Sequence, residues 1–459
     1  MGQYRTEHDS MGDVKVPADA YYQAQTQRAH DNFQFSKRPF PAPTIQAVID
    51  IKAAAAQANH QLGLLEANIA EAIQQAAQQS KLVDFSQHFP LDMFQTGSGT
   101  SSNMNVNEVL STLATEKLGQ KVHPNDHVNM GQSSNDVIPA AIQLSSVRLL
   151  HQQFYPAIKS LTQRLGELAV QYSDNVKTGR THLMDAMPIT FGQEIQCWQQ
   201  QLETAQHRIE QAETELHHLP LGGTAVGTGV NSDQQFARHC CDRLRQLDPV
   251  NWQAATTPAL YMSSQEHHLN LMSALKSCAV ALLKMANDLR WMNSGPVAGL
   301  QEIQLTALQP GSSIMPGKVN PVIPEAVAMI AADIIGNEAS VTIAAQSGNF
   351  QLNVMLPLIA EKLVRSIELL AGACSSLTGK VFTDFMINQQ HANNALNKNP
   401  ILATALNGEI GYENAAKIAK RADKEGKTVL EIALEETDLD EQRLKDLLDP
   451  LHLAKPYSN

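Results

Sequence analysis

Cysteine is scarce in this chain. The five present, Cys197, Cys240, Cys241, Cys278 and Cys374, are odd in number and form no C-x-x-C pair. That argues against a zinc site or a disulfide framework and suits a reducing compartment, the cytoplasm. Adjacent Cys240 and Cys241 read as neighbours in a helix. Positive charge is also short: 34 Lys and Arg stand against 46 Asp and Glu, a formal net charge of -12. Broad binding to nucleic acid or to an anionic membrane surface is thereby disfavoured, although a pocket can be locally positive in an acidic protein. Residues 1–10 are polar and lack a signal-peptide core. No run of about eighteen or more apolar residues suggests a membrane span. Internal repeats and low-complexity tracts are missing as well, and strand signals are weak throughout.

What remains favours helices. Hydrophobic residues make up 43% and charged ones 17%, with aromatics at only 5%. The apolar content comes largely from Ala and Leu, which with abundant Gln lose little rotamer freedom in a helix. A length of 459 residues predicts two or three domains. Residues 1 to 45 read as irregular, with a short helix near 18–29. Two helical segments follow over 44–80, parted near Gly63. Apolar residues recur at helical spacing from 137 to 172: Ile142, Val147, Leu150, Phe154, Ile158, Leu161, Leu165 and Leu168. Such a helix is roughly 50 Å long. Further helices are predicted over 105–118, 190–218, 262–293, 323–345 and 353–377. Several exceed ~25 residues without a break, which points to a bundle. After residue 390 the segments become short and highly charged. The organisation expected is an N-terminal, mostly helical domain (1–134), a central long-helix bundle (135–389) and a small C-terminal helical domain (390–459).

Four polar loops punctuate this scaffold. The first contains Gly97-Ser98-Gly99-Thr100, and the second runs from His123 to Asp136 through Ser133-Ser134-Asn135. The third contains Gly179-Arg180-Thr181-His182. The fourth is Gly311-Ser312-Ser313-Ile314-Met315-Pro316-Gly317-Lys318-Val319-Asn320-Pro321. Each is expected to precede a helix, whose free N–H groups and dipole attract carboxylates and phosphates. Read singly, their Ser, Thr, Asn and Asp residues are ordinary N-caps. His182 gains weight from a potential partner, Glu325, in the first turn after the fourth loop; such a pair orients an imidazole and raises its basicity. In an up-and-down bundle Thr181, His182 and Lys318 can share one end. Ser133, Ser134 and Asn135 fall a helix length away, so a shared site needs a second subunit.

The fourth loop matches every position of G-S-S-x-M-P-x-K-x-N-P, the signature of the fumarase/aspartase superfamily. The resemblance runs from Gly97 to the Ile410-Gly411-Tyr412-Glu413-Asn414 segment and is closest to the metal-free class II fumarases. It implies an all-α, three-domain fold whose central domains form a twenty-helix core in a homotetramer. Each active site then draws on three subunits. It also implies reversible trans hydration of fumarate to L-malate through an aci-carboxylate, without cofactor or metal. By the same resemblance Ser312 is the base. His182, backed by Glu325, is the acid/base group working through a water. Lys318 and Asn320 face the developing charge. Ser98, Gly99, Thr100, Ser133, Ser134, Asn135, Thr181, Ser313 and Val319 line the substrate. His123, Pro124, Asn125 and Asp126 resemble a second dicarboxylate site, but Gln120 stands where the family has Arg, and Gly131 where Ser is common.

The nearest rival is aspartate ammonia-lyase. Ser133-Ser134-Asn135 and Leu221-Gly222-Gly223-Thr224 lean towards fumarase; Val322-Ile323-Pro324-Glu325 and Leu308-Gln309-Pro310 lean the other way. Argininosuccinate and adenylosuccinate lyases need larger pockets. A non-catalytic relative would show losses among Ser312, Lys318, Asn320, His182 and Glu325, and all five are present.

Overall fold

The computed structural model describes residues 3–455. Its framework is helical, and the described strands form only four two-stranded pieces. The chain divides into two compact units. The division falls inside the long helices Phe191–Thr214, Glu266–Met292, Val322–Gln346 and Leu356–Lys380.

The first unit holds everything up to Pro156 together with His207–Ala279 and Ala332–Ala371. Its helices Ala42–Gln61, Ala67–Ser80, Thr100–Leu118 and Ser134–Leu149 bury Ile45, Val48, Ile51, Ile73, Val109, Leu113 and Ile142. The apolar spacing over 137–172 gives continuous helical backbone, since all eight residues at that spacing are buried. It is not uniform, however. Leu150–Phe154 is a π-turn between Ser134–Leu149 and Tyr155–Gln171. Pro156 lacks the N–H that the Gln152 carbonyl would accept, which loosens the ladder there. The N-terminal region, expected to be irregular, forms an antiparallel hairpin, Tyr4–Asp9 with Gly12–Pro17.

The second unit comprises Ala157–Gln206, Val280–Ala331 and the chain from Gly372 onward. It contains the hairpin Val176–Thr181/Met184–Thr190. Its last helices, from Gln389–Asn397 to Pro450–Ala454, bury a core of Leu402, Leu406, Ile418, Ile432 and Leu444.

Glu266–Met292 and Val322–Gln346 are long and apolar enough to cross a membrane by length and composition. Each nonetheless carries ion pairs to a neighbouring helix: Glu338 pairs with Lys276 at 2.8 Å and Asp333 with Arg365 at 2.9 Å. Such pairs suit helices packed against protein.

Candidate functional site

In the first unit the first and second loops meet. Gly99 adopts φ +73° just before helix Thr100–Leu118, and a Cβ there would lie 2.9 Å from Ile138. Only glycine therefore lets the two helix starts come so close. Ser98 Oγ lies 2.8 Å from Thr100 Oγ1, which lies 2.7 Å from Ser134 Oγ. Ser133 caps helix Ser134–Leu149 in a capping box with Asp136. Asn135 Nδ2 donates to the Ala225 carbonyl at 2.9 Å, bringing in the glycine-rich break. Asp136 accepts from the N–H groups of Ser133 and Thr224, both at 2.9 Å. Burial still pushes its carboxyl up to about 7. Two helix N-termini and a row of hydroxyls thus face one place, an arrangement suited to a carboxylate.

The His123 turn precedes this cluster. Pro124–Val128 forms a π-turn, and His123 Nδ1 accepts the N–H groups of Asn125 and Asp126 at 3.2 and 3.1 Å. The imidazole is thus spent on its own backbone at that nitrogen.

In the second unit Thr181 and His182 sit differently from expectation. They occupy the tip of a hairpin, not the start of a helix. His182 and Leu183 form the turn at φ 57° and 63°, the left-handed region that non-glycine residues rarely adopt. The twist of the flanking strands demands this two-residue turn. Thr181 and His182 are exposed. Beneath the tip lies a charged clamp. Glu302 Oε2 accepts from Lys177 at 2.7 Å and Oε1 from Arg180 at 2.8 Å. Lys177 also reaches Glu194 at 2.8 Å.

The signature loop begins and ends at one point. The Gly311 N–H donates to the Lys318 carbonyl at 2.7 Å, and Asn320 Nδ2 donates to the Gly311 carbonyl at 2.9 Å. A Cβ on Gly311 would lie 2.6 Å from the Lys318 carbonyl oxygen. Gly311 therefore belongs to the anchored end, and residues 312–317 form the arch. Ser312 Oγ accepts the N–H groups of Ile314 and Met315 at 3.2 and 3.1 Å. Ser313, Lys318 and Val319 are exposed, and Glu325 lies in the first turn of Val322–Gln346. His182 and Glu325 make no hydrogen bond or ion pair with each other among the described residues.

Sequence reasoning left several polar residues of these networks unassigned: Lys52, Asn129, Gln132 and Asp136 behind the second loop, and Lys177, Arg180 and Glu302 under the hairpin. Lys52, a charge within an apolar, alanine-rich stretch, carried the available signal.

Comparison with known proteins identifies the fold. Residues 12–336 match a lyase family model, and residues 402–455 match a fumarase C C-terminus model. A class II fumarate hydratase of Pseudomonas aeruginosa is 52% identical over 99% of both chains. One from Xylella fastidiosa is 51% identical over 99% of this chain and 96% of its own. The crystal structure of a class II fumarase from Schistosoma mansoni superposes with a TM-score of 0.95 at 35% identity, covering 99% of this chain and 100% of its own. This chain belongs to the class II fumarate hydratase family.

Proposed function

We infer that the chain is a fumarate hydratase, a hydro-lyase that interconverts fumarate plus water with L-malate. Identity of 52% over 99% of both chains to a class II fumarate hydratase carries the reading. The intact signature loop agrees with it.

The residue roles follow from the chemistry. Removing a carbon-bound proton next to a carboxylate creates an aci-carboxylate with extra negative charge. Donors must already stand where that charge develops. Lys318 and Asn320 take this part. Ser98, Thr100, Ser133, Ser134 and Asn135 hold carboxylate oxygens, with Gly99, Thr181, Ser313 and Val319 completing the lining. Ser312 takes the proton; the N–H groups of Ile314 and Met315 pointing at its Oγ favour the alkoxide this requires. His182, oriented by Glu325, then supplies a proton as hydroxide leaves the neighbouring carbon as water. Hydration runs these steps in reverse. His123, Pro124, Asn125 and Asp126 form a secondary dicarboxylate site, weakened by Gln120.

The active form is a homotetramer with sites shared among three subunits. Exposed apolar side chains on Val322–Gln346 support assembly: Ile335 and Ile343, eight residues apart and so near one face, are 38% and 57% exposed. Water is a poor neighbour for such a face. The enzyme works in the cytoplasm, a reducing compartment that suits a chain with five cysteines and no C-x-x-C pair.

The test supplies purified protein with fumarate alone, then with fumarate and ammonium, and follows loss of the double bond by ultraviolet absorbance. Consumption without ammonium is expected. Consumption only with ammonium makes the chain an aspartate ammonia-lyase and overturns the reading. A catalytically active monomer overturns the shared site.

A further inference from the structure

Behind Ser133, Ser134 and Asn135 lies a cation that the reaction scheme does not use. Lys52 sits in the middle of helix Ala42–Gln61 and is fully buried. Its Nζ donates to Asn129 Oδ1 at 2.8 Å and to Gln132 Oε1 at 3.0 Å. Both acceptors are neutral amides, and among the described residues no carboxylate is ion-paired with it. One face of the same helix, two turns on, presents Asn59, whose Nδ2 donates to the Met130 carbonyl at 3.0 Å. Asn129 Oδ1 also accepts from Asn103 and Asn107 of helix Thr100–Leu118, at 3.3 and 3.2 Å. Asp136 grips the other end of the segment through the Ser133 N–H.

A buried ammonium on neutral partners is a poor stabiliser. Burial pushes its pKa down to about 7, with the charge of Asp136 acting in the opposite direction. An apolar side chain of similar length would spare the cost of burying the ammonium but leave the Asn129 and Gln132 oxygens short of a donor. What the ammonium provides is a fixed position for residues 129–132, which lead directly into the hydroxyl row.

We propose that Lys52 is a positioning residue for substrate binding: it pins Asn129 and Gln132 so that Ser133, Ser134 and Asn135 meet a carboxylate of the dicarboxylate substrate. This rests on the assignment of those three residues to substrate. Lys52 does not touch the reacting atoms, so its loss weakens binding more than turnover.

The experiment compares Lys52→Met, Gln132→Met and Ser134→Ala with the unmodified enzyme, using initial rates with fumarate and thermal unfolding. For Lys52→Met, KM rises about tenfold or more while kcat stays within about threefold, the weight of lost charge-assisted hydrogen bonds. Its Tm changes little, because relief of the buried ammonium offsets the acceptors left unpaired. Gln132→Met, which removes one of the two acceptors, gives a smaller rise in KM and decides the matter if Lys52→Met fails to fold. A lowered Tm with unchanged KM would make Lys52 purely structural and overturn the proposal. If Ser134→Ala raises KM and neither other variant does, the proposal alone falls. If none of the three moves KM, the assignment of the second loop to substrate falls with it.

Discussion

Replacing Glu302 should disable the enzyme without touching a reacting group. Glu302 and Lys177 are 3% and 2% exposed. The carboxylate uses one oxygen for Lys177 and the other for Arg180. Removing one member of a buried pair typically costs about 3–5 kcal/mol, because the other charge is left in a poor solvent. Two features place Glu302→Gln near the lower bound. Lys177 keeps Glu194 at 2.8 Å, and the Arg180 side chain is 19% exposed and can recover some hydration. Glu302→Leu, which also loses the polar acceptors, belongs near the upper bound. The second effect is geometric. The hairpin carrying Thr181 and His182 is held to the strand Ile303–Gln304 region by this carboxylate, and a shift of about 1 Å at an acid/base group can cost about a hundredfold in turnover. Urea unfolding and steady-state rates of Glu302→Gln and the double variant Lys177→Met/Glu302→Gln test both. The double variant should lose less stability than the two single losses combined, since it removes the stranded cation. Unchanged unfolding together with unchanged kcat in Glu302→Gln would refute the clamp.

Ser312→Ala should abolish turnover while the assembly, followed by sedimentation, stays intact; near-normal kcat would remove Ser312 as the base. His182→Asn should cut kcat severely yet preserve the hairpin, because Asn tolerates the left-handed conformation better than most residues; circular dichroism should match the parent. The pH dependence of Lys52 has a definite sign. Its pKa falls from 10.5 unfolded to about 7 folded, so between those values the unfolded chain binds a proton that the folded chain has shed. Wild-type stability therefore gains with pH across that window. Any stability advantage of Lys52→Met, measured by urea unfolding at several pH values, should narrow from pH 7 upward, and a constant gap would contradict the burial of a charged amine.

The parts legible in the sequence were those where residue type and structure share one cause. The signature loop could be read because two glycines, two prolines and four polar side chains leave little other use for so short a segment. The long helix after the second loop could be read because its apolar spacing is the buried face itself. The hairpin at Val176–Thr190 was not, for it lacks clean alternation and turns on His182-Leu183 instead of a glycine dipeptide. The polar hairpin near the N-terminus gave no apolar period either. Pairing of Ser98, Thr100 and Ser134 across two loops depends on the close approach at Gly99, a tertiary fact. Lys52 was passed over because a lysine in an alanine-rich helix ordinarily reaches solvent; its burial depends on acceptors nearly eighty residues away.

The bond from Gly311 to Lys318 makes the signature loop a closed ring with a stem. The Lys318 N–H donates to the Met315 carbonyl and Asn320 Nδ2 to the Gly311 carbonyl, so the arch and the two donors share one anchored base. The Ile314 and Met315 side chains, 83% and 48% exposed, can be exchanged without touching that base.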